Sequence, residues 1–389
     1  MEGDFIKINR KLLPLSWLYG MGVGFRNFCF DIGVLKSQAF DVPVIAVGNI
    51  TVGGTGKTPH VEHLLRLLQH RVKVAVLSRG YKRKTKGFVM GTKESTAHDI
   101  GDEPCQMKQK FPDVTVAVDH KRVRGIQRLT TEDTQLGAVL LDDAFQHRYV
   151  KPGINILLVD YHRLIIYDKL LPAGRLRESL KGKNRADIVI ITKCPKDLKP
   201  MEFRVITKAM ALFPYQHLYF TTLSYDTPYP VFANEAEPFV EGGLNALEGN
   251  VLLLTGIASP RQLKEDLNGL NANLSTLTFP DHHNFSPKDI ERINSTFDAL
   301  AAPKCIITTE KDATRLVTIE GLSSEVRSHL YSLPVRIKFM QDEQEQKFND
   351  YIVGYVHKNS RNSILVKGKE EHKSPNVNHA EVQNKKIRF

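Results

Sequence analysis

Three short stretches of this chain carry residues suited to handling a phosphoryl group. The first, "AVGNITVGGTGKTPH" (residues 46–60), ends in Gly56-Lys57-Thr58. Backbone N–H groups of such a run can surround phosphates at a helix N-terminus. The lysine adds charge at the β- and γ-phosphates, and the threonine hydroxyl can ligate Mg²⁺. The pattern G-x-x-x-x-G-K-[ST] places a glycine where this chain has Thr51. That position is the loop entrance rather than the source of the phosphate contacts. Thr51, Gly53, Gly54, Thr55, Gly56, Lys57 and Thr58 therefore form a candidate nucleotide site.

The other two stretches are acidic. "AVLLDDAFQHR" (138–148) is an apolar strand ending in Asp142 and Asp143. A strand-terminal aspartate is the expected second Mg²⁺ ligand beside a phosphate loop. The two carboxylates point opposite ways if the strand persists, and a helical turn beginning there would set His147 on the face of Asp143. "IGDEPCQMKQKFP" (100–112) puts Asp102 and Glu103 at a helix start, where they serve at the least as caps. A fourth segment, "FPDHHNFS" (279–286), offers His282 and His283 without a third ligand at metal spacing, which argues against zinc. A histidine facing a carboxylate across a cleft is the better reading, since it can tune or relay a proton.

Positioning these groups requires a sheet. The runs at 42–48, 72–80, 114–119, 136–143, 154–160 and 186–193 are near-continuously apolar and alternate with segments long enough for helices. That pattern predicts a doubly wound, parallel α/β sheet buried on both faces. The glycine-rich run directly follows the strand "VIAVG" and leads into "PHVEHLLRLLQH", the strand–loop–helix context a phosphate loop needs. Residues 37–214 are expected to form this nucleotide-binding domain, and 215–235, with alternating aromatics around Asp226-Thr227-Pro228, a two-stranded ribbon. Residues 236–358 repeat α/β signals and are expected to be a second, smaller domain. Residues 359–389 read as a polar, mobile tail.

At 389 residues, with 41% apolar and 25% charged residues, the chain is globular and large enough for two cores. Four scattered cysteines form no C-x-x-C pair, which argues against a disulfide framework and fits a reducing compartment. A net charge of +11 calls for an anionic partner. Extended basic–aromatic interleaving of the RNA-binding kind is absent, so nucleic acid is not expected. Candidate phosphate contacts lie in "SRGYKRK" (78–84), "DHKRVRG" (119–125, with Arg122) and "LLPAGRLRE" (170–178, with Arg175 and Arg177). Near the start, "RKLLPLSWLYGMGVGFR" holds 14 uncharged residues between Lys11 and Arg26. That is short of the ~20 a spanning helix needs. With Trp17 and Tyr19 and basic ends, residues 1–36 read as a membrane-associating amphipathic segment, the competing reading being a core helix.

Taken together, "VGNITVGGTGKTP", "LSRGYKRK", "GDEP", "LLDDAFQHR", "LPAGRLRE", "DHHNF" and "TTEKDATRL" resemble the tetraacyldisaccharide 4′-kinase family, the lipid A 4′-kinases, over residues 10–316. In that family Thr is normal at the loop entrance. The resemblance implies ATP-dependent phosphorylation of the 4′-hydroxyl of an acylated disaccharide 1-phosphate, by a peripheral enzyme on the cytoplasmic leaflet of the inner membrane. It implies a P-loop kinase-like domain and a second α/β domain joined by a β-ribbon. It further implies ATP and Mg²⁺ at Lys57 and Thr58, and a metal shell of Glu103 and Asp143 with Asp142 and His147 alongside. Asp102 would take the proton from the sugar hydroxyl with His282 as its partner, and Arg122, Arg175 and Arg177 would meet substrate phosphate or sugar. Two other readings stay open on the residues alone. One is a kinase of a soluble metabolite. The other is a nucleotide switch, weakened because Thr192-Lys193-Cys194-Pro195 lacks the aspartate of N-K-x-D.

Overall fold

The computed structural model describes residue 6, residues 8–270 and residues 272–360. The six apolar runs fold as strands β1 (Val44–Gly48), β2 (Val74–Ser78), β4 (Thr115–Val118), β5 (Ala138–Asp142), β6 (Ile154–Asp160) and β7 (Ile188–Thr192), joined by β3 (Val89–Met90) and β8 (His217–Tyr225). Helices α1 (Leu13–Asp31), α2 (Lys57–Leu68), α3 (Ala97–Ile100), α4 (Asp102–Lys110), α5 (Arg122–Glu132) and α6 (Pro200–Met210) accompany them. Side chains alternate across the sheet: Ile45 and Val47 of β1 pack on one face with Leu64 and Leu65 of α2, while Val44 and Ala46 face Ile126 and Leu129 of α5. Cover on both faces is why these strands are unbroken apolar runs in the sequence.

A smaller sheet follows, with order β11-β10-β12-β13-β9. Its strands are β9 (Tyr229–Pro230), β10 (Asn250–Thr255), β11 (Asn273–Thr278), β12 (Lys304–Thr309) and β13 (Leu330–Leu333). Helices α7 (Arg261–Asn268), α8 (Pro287–Asp298), α9 (Glu310–Leu316) and α10 (Ser324–Ser328) surround it. Leu252 and Leu254 pack against Ile290, Ile293 and Phe297 of α8, and Val251 and Leu253 against Leu263 and Leu267 of α7.

The chain then returns. Strand β14 (Val335–Phe339) joins the first sheet, giving the order β14-β8-β7-β6-β1-β5-β2-β4-β3, and α11 (Asp342–Asn359) buries Phe348, Ile352 and Val356 in the first unit's core. Two boundaries read from the sequence are corrected here. A two-stranded antiparallel ribbon does lead toward the second unit, but it pairs β8 with β14, in register from Val335–Tyr225 to Phe339–Thr221. The short β9, expected as the ribbon's other strand, lies in the second sheet against β13. Residues 335–358, assigned by sequence to the second domain, belong to the first. Short alternating strands look alike in sequence, and their partners are set by which apolar face they cover. The helix extends through Asn359; of the expected tail, residues 361–389 lie outside the described residues.

Helix α1 is turned inside out. Its buried residues are Ser16 and Phe30, whereas Trp17 is 68% exposed, Leu18 55% and Phe25 70%. It is tethered by polar groups instead. Ser16 Oγ donates to the Leu170 carbonyl (2.9 Å) and accepts from Ala173 N (2.9 Å), and the Tyr19 hydroxyl donates to the Arg177 carbonyl (2.9 Å). Gly20 permits the approach, because a Cβ there would meet Leu170 Cδ1 at 2.7 Å. No helix among the described residues is long and apolar enough to cross a membrane.

Candidate active site

The site is built at the carboxyl ends of β1, β5 and β2, the position where parallel α/β sheets bind ligands. Residues 49–56 connect β1 to α2, whose first two residues are Lys57 and Thr58. Gly56 caps the helix at φ +78°, a conformation that favours glycine. The loop is held from several sides. Asn49 Nδ2 donates to Thr55 Oγ1 (2.9 Å), Thr192 Oγ1 donates to the Thr55 carbonyl (3.1 Å), and Lys193 Nζ donates to the Gly54 carbonyl (2.5 Å). His60, one turn into α2, reaches the Gly56 carbonyl with Nδ1 (2.7 Å) and Thr221 Oγ1 with Nε2 (3.1 Å). Burial pushes its pKa down to about 4, so it is a neutral brace.

At the loop entrance, Val52 N donates to the Arg175 carbonyl and Arg177 N to the Ile50 carbonyl, each at 2.8 Å. The segment carrying Arg175 and Arg177 is therefore a strap, with the phosphate loop along one edge and α1 along the other. Arg175 is exposed there and Arg177 half-buried.

Lys57 Nζ lies 3.3 Å from Asp143 Oδ1. Asp142 is buried; its Oδ2 accepts from Ser78 Oγ (3.0 Å), while Oδ1 has no partner. Burial first, then the charges of Asp143 and Glu103, push the Asp142 carboxyl up to about 6, against Lys57 and Ser78. A partnerless buried carboxylate oxygen amid three acids fits a divalent cation.

Asp102 begins α4 after Gly101 and is 7% exposed. The structure brings it to His282 across 180 residues: Nδ1 and Asp102 Oδ2 are 2.7 Å apart. Arg315 of α9 also grips this carboxylate, with Nε donating to Oδ1 (2.9 Å) and Nη2 to Oδ2. Burial raises the Asp102 pKa, but hydrogen bonds from His282 and Arg315 and the Arg315 charge outweigh it and hold the group well below the usual carboxylate range. Lys311 Nζ sits between Glu103 Oε1 (3.0 Å), Asp281 Oδ1 (2.9 Å) and His282 Nε2 (3.1 Å). Asp102, Glu103 and His282 place ligand-type atoms within 4.8 Å of one another.

Two sequence expectations land elsewhere. His147 is not on a helical turn, because residues after Asp143 form irregular turns, and its charged neighbours are Arg122, Arg26 and Arg79. Burial and those arginines push it down to about 4. Arg122 is 2% exposed and donates to the backbone carbonyls of Asp119 (2.5 Å) and Asp142 (3.1 Å), bracing two strand ends. Lys193, Lys311 and Arg315 were given no site role from sequence. Lys311 and Arg315 stand at i, i+4 in "TTEKDATRL", one face of a helix, and that spacing was the available signal.

The chain is similar to known proteins along most of its length. The profile of the family described as tetraacyldisaccharide-1-P 4′-kinase matches residues 8–353. A protein named tetraacyldisaccharide 4′-kinase from Phocaeicola vulgatus is 56% identical over 367 residues, which cover 93% of this chain and 99% of that one. One of the same name from Bacteroides thetaiotaomicron is 51% identical over 382 residues, 96% of this chain and all of that one. The crystal structure of LpxK from Aquifex aeolicus in complex with ATP is 29% identical and superposes with a TM-score of 0.66, covering 88% of this chain and 98% of that one. The chain belongs to the tetraacyldisaccharide-1-P 4′-kinase family.

Proposed function

We propose that this protein transfers the γ-phosphoryl group of ATP to the 4′-hydroxyl of a tetraacylated disaccharide 1-phosphate while resting on the cytoplasmic face of a membrane. The observation that carries this reading is that Glu103, next to the Asp102–His282 pair drawn from different units, and Lys57 of the phosphate loop both act on the Asp142 carboxylate. Phosphoryl transfer needs positioning and charge neutralisation more than covalent chemistry. Residues 53–58 cradle the phosphates and Lys57 neutralises charge that grows between the β- and γ-positions. Asp102 accepts the hydroxyl proton as the sugar oxygen bonds to the γ-phosphorus and the bond to the β-bridging oxygen breaks, leaving ADP. His282 orients that carboxylate.

Asp142, Asp143, Glu103 and Thr58 would hold Mg²⁺, which when bound neutralises phosphate charge. Arg175 and Arg177, on the strap between α1 and the phosphate loop, are placed for the acceptor's phosphate or sugar. The outward apolar face of α1 suits an acyl-chain interface, and the basic balance suits an anionic acceptor and surface. A soluble acceptor gives that face no role.

The test combines labelled ATP with a panel of lipid and soluble sugar acceptors, then a double-mutant cycle of Asp102→Ala and His282→Ala on kcat. Label should enter only the acylated disaccharide, and the two losses should be less than additive, as for groups acting as one unit. Labelling of a soluble sugar instead would overturn the acceptor. A wild-type kcat for Asp102→Ala would reduce that residue to a helix cap.

A further inference from the structure

We propose that Arg315 is a positioning residue for this reaction: from the second unit it fixes the orientation of the Asp102 carboxylate and so aims the base. This rests on the reading of Asp102 as the proton acceptor.

The geometry is that of a planar fork on a carboxylate. Nε donates to one oxygen and Nη2 to the other, the bidentate arrangement that fixes orientation as well as charge. Arg315 is itself 9% exposed and is anchored behind: Nη1 donates to the His283 carbonyl (3.4 Å) and lies 3.8 Å from Asp312 Oδ1. Asp312 in turn accepts from Gly256 N (2.9 Å) and Thr309 Oγ1 (2.7 Å), both at strand ends of the second sheet. A continuous polar chain thus runs from β10 and β12 to the first residue of α4.

Counting acceptor sites shows what the clamp leaves open. An ionised carboxylate has about four lone-pair positions. Oδ2 receives Arg315 Nη2 and His282 Nδ1, whereas Oδ1 receives Arg315 Nε alone. The remaining position on Oδ1 is the one available to a sugar hydroxyl. Without the fork only the His282 bond to Oδ2 orients the carboxylate, and a buried anion beside Glu103 has lost its main counter-charge.

The experiment compares Arg315→Ala, Arg315→Lys and Asp102→Asn in the full-length protein. It measures kcat, KM for ATP and for the acylated acceptor, and recovery by added guanidinium chloride at constant ionic strength. Arg315→Ala should lower kcat at least tenfold while KM for ATP changes less than about threefold. Guanidinium should restore part of kcat to Arg315→Ala and none to Asp102→Asn. Arg315→Lys, which keeps the charge and loses the fork, should fall between, and it tests the proposal if the alanine variant fails to fold. A near-wild-type kcat in Arg315→Ala beside an inactive Asp102→Asn would overturn the proposal and leave the base standing. A folded Arg315→Ala that guanidinium does not revive would also overturn it. A wild-type rate in Asp102→Asn would instead remove the base itself.

Discussion

Lys57 and Asp143 are ion-paired across the phosphate loop, Nζ to Oδ1, at 3.3 Å. Asp143 reaches the lysine by adopting φ +49°, outside the usual range for a side-chain-bearing residue. The loop cation therefore already has an anion beside it.

Lys57→Ala should abolish transfer without unfolding the protein. Its side chain is 20% exposed and Asp143's is 40%, and pairs this open contribute at most about 1 kcal/mol. Loss of a charge-stabilising donor costs about a hundredfold or more in kcat. Turnover and a thermal melt on the same preparation decide it. A folded variant with unchanged turnover would take this loop out of the mechanism.

The exposed face of α1 should carry membrane binding. Replacing Trp17 and Leu18 with Ser removes two side chains whose burial contributes roughly 1.5–3 kcal/mol each. Sedimentation with anionic-lipid vesicles should show at least a tenfold weaker association, while ATP affinity stays constant. Unaltered sedimentation would mean that another surface docks.

Lys110 joins the two units at a buried point. Its Nζ lies 2.7 Å from Glu62 of α2 and 2.7 Å from Glu310 of α9, and both carboxylates are almost fully buried. Burial, then the Glu62 charge, raises the Glu310 pKa. Lys110→Met would leave buried Glu310 without a cation, while Glu62 keeps Arg66, at a cost of about 3–5 kcal/mol. Scanning calorimetry should show a fall of several degrees in Tm, partly recovered by adding Glu310→Gln. An unmoved Tm would show that water already serves these carboxylates.

His63 should make the docking of α11 sensitive to acid. Its Nε2 meets Asn349 Oδ1 at 3.2 Å beside Phe339 and Phe348, and burial holds its pKa below the ordinary value. Its neutral form therefore favours the folded state above pH ~6.5, and that contribution is lost as pH falls below it, since the unfolded chain accepts the proton more readily. Denaturant midpoints of wild type and His63→Gln should converge on going from pH 7.5 to 5.5. A constant difference would exclude this histidine as the source.

Much of this architecture can be read from residue order. Strand ends carry chemistry in parallel sheets, so Lys57, Thr58, Asp142 and Asp143 announce themselves by following apolar runs. The Asp102–His282 contact has no such local mark. Proximity of residues 180 apart depends on how two units face each other, and only the resemblance to a family suggested it. Lys193 was missed because a lone cation at an element's end has the same sequence signature as a solvated one, and Arg315 because its i, i+4 spacing from Lys311 does not say what that helix face meets. The ribbon was misplaced for a related reason: β14 is distinguished from the second unit's strands by its partner, not by its composition.

The return of β14 to the first sheet makes the second unit a cassette set into a loop. The chain leaves after Tyr225 and comes back at Val335, residues that are direct partners across the ribbon, and Asp226 N still donates to the Pro334 carbonyl at 3.1 Å. Entry and exit thus share one seam, so both connections between the units lie side by side. It also means that truncating the chain after the first unit's β8 would strip away β14 and α11 with it. Joining 225 to 335 through a short hairpin turn, by contrast, would excise the cassette and leave the nucleotide-binding sheet with every strand it needs.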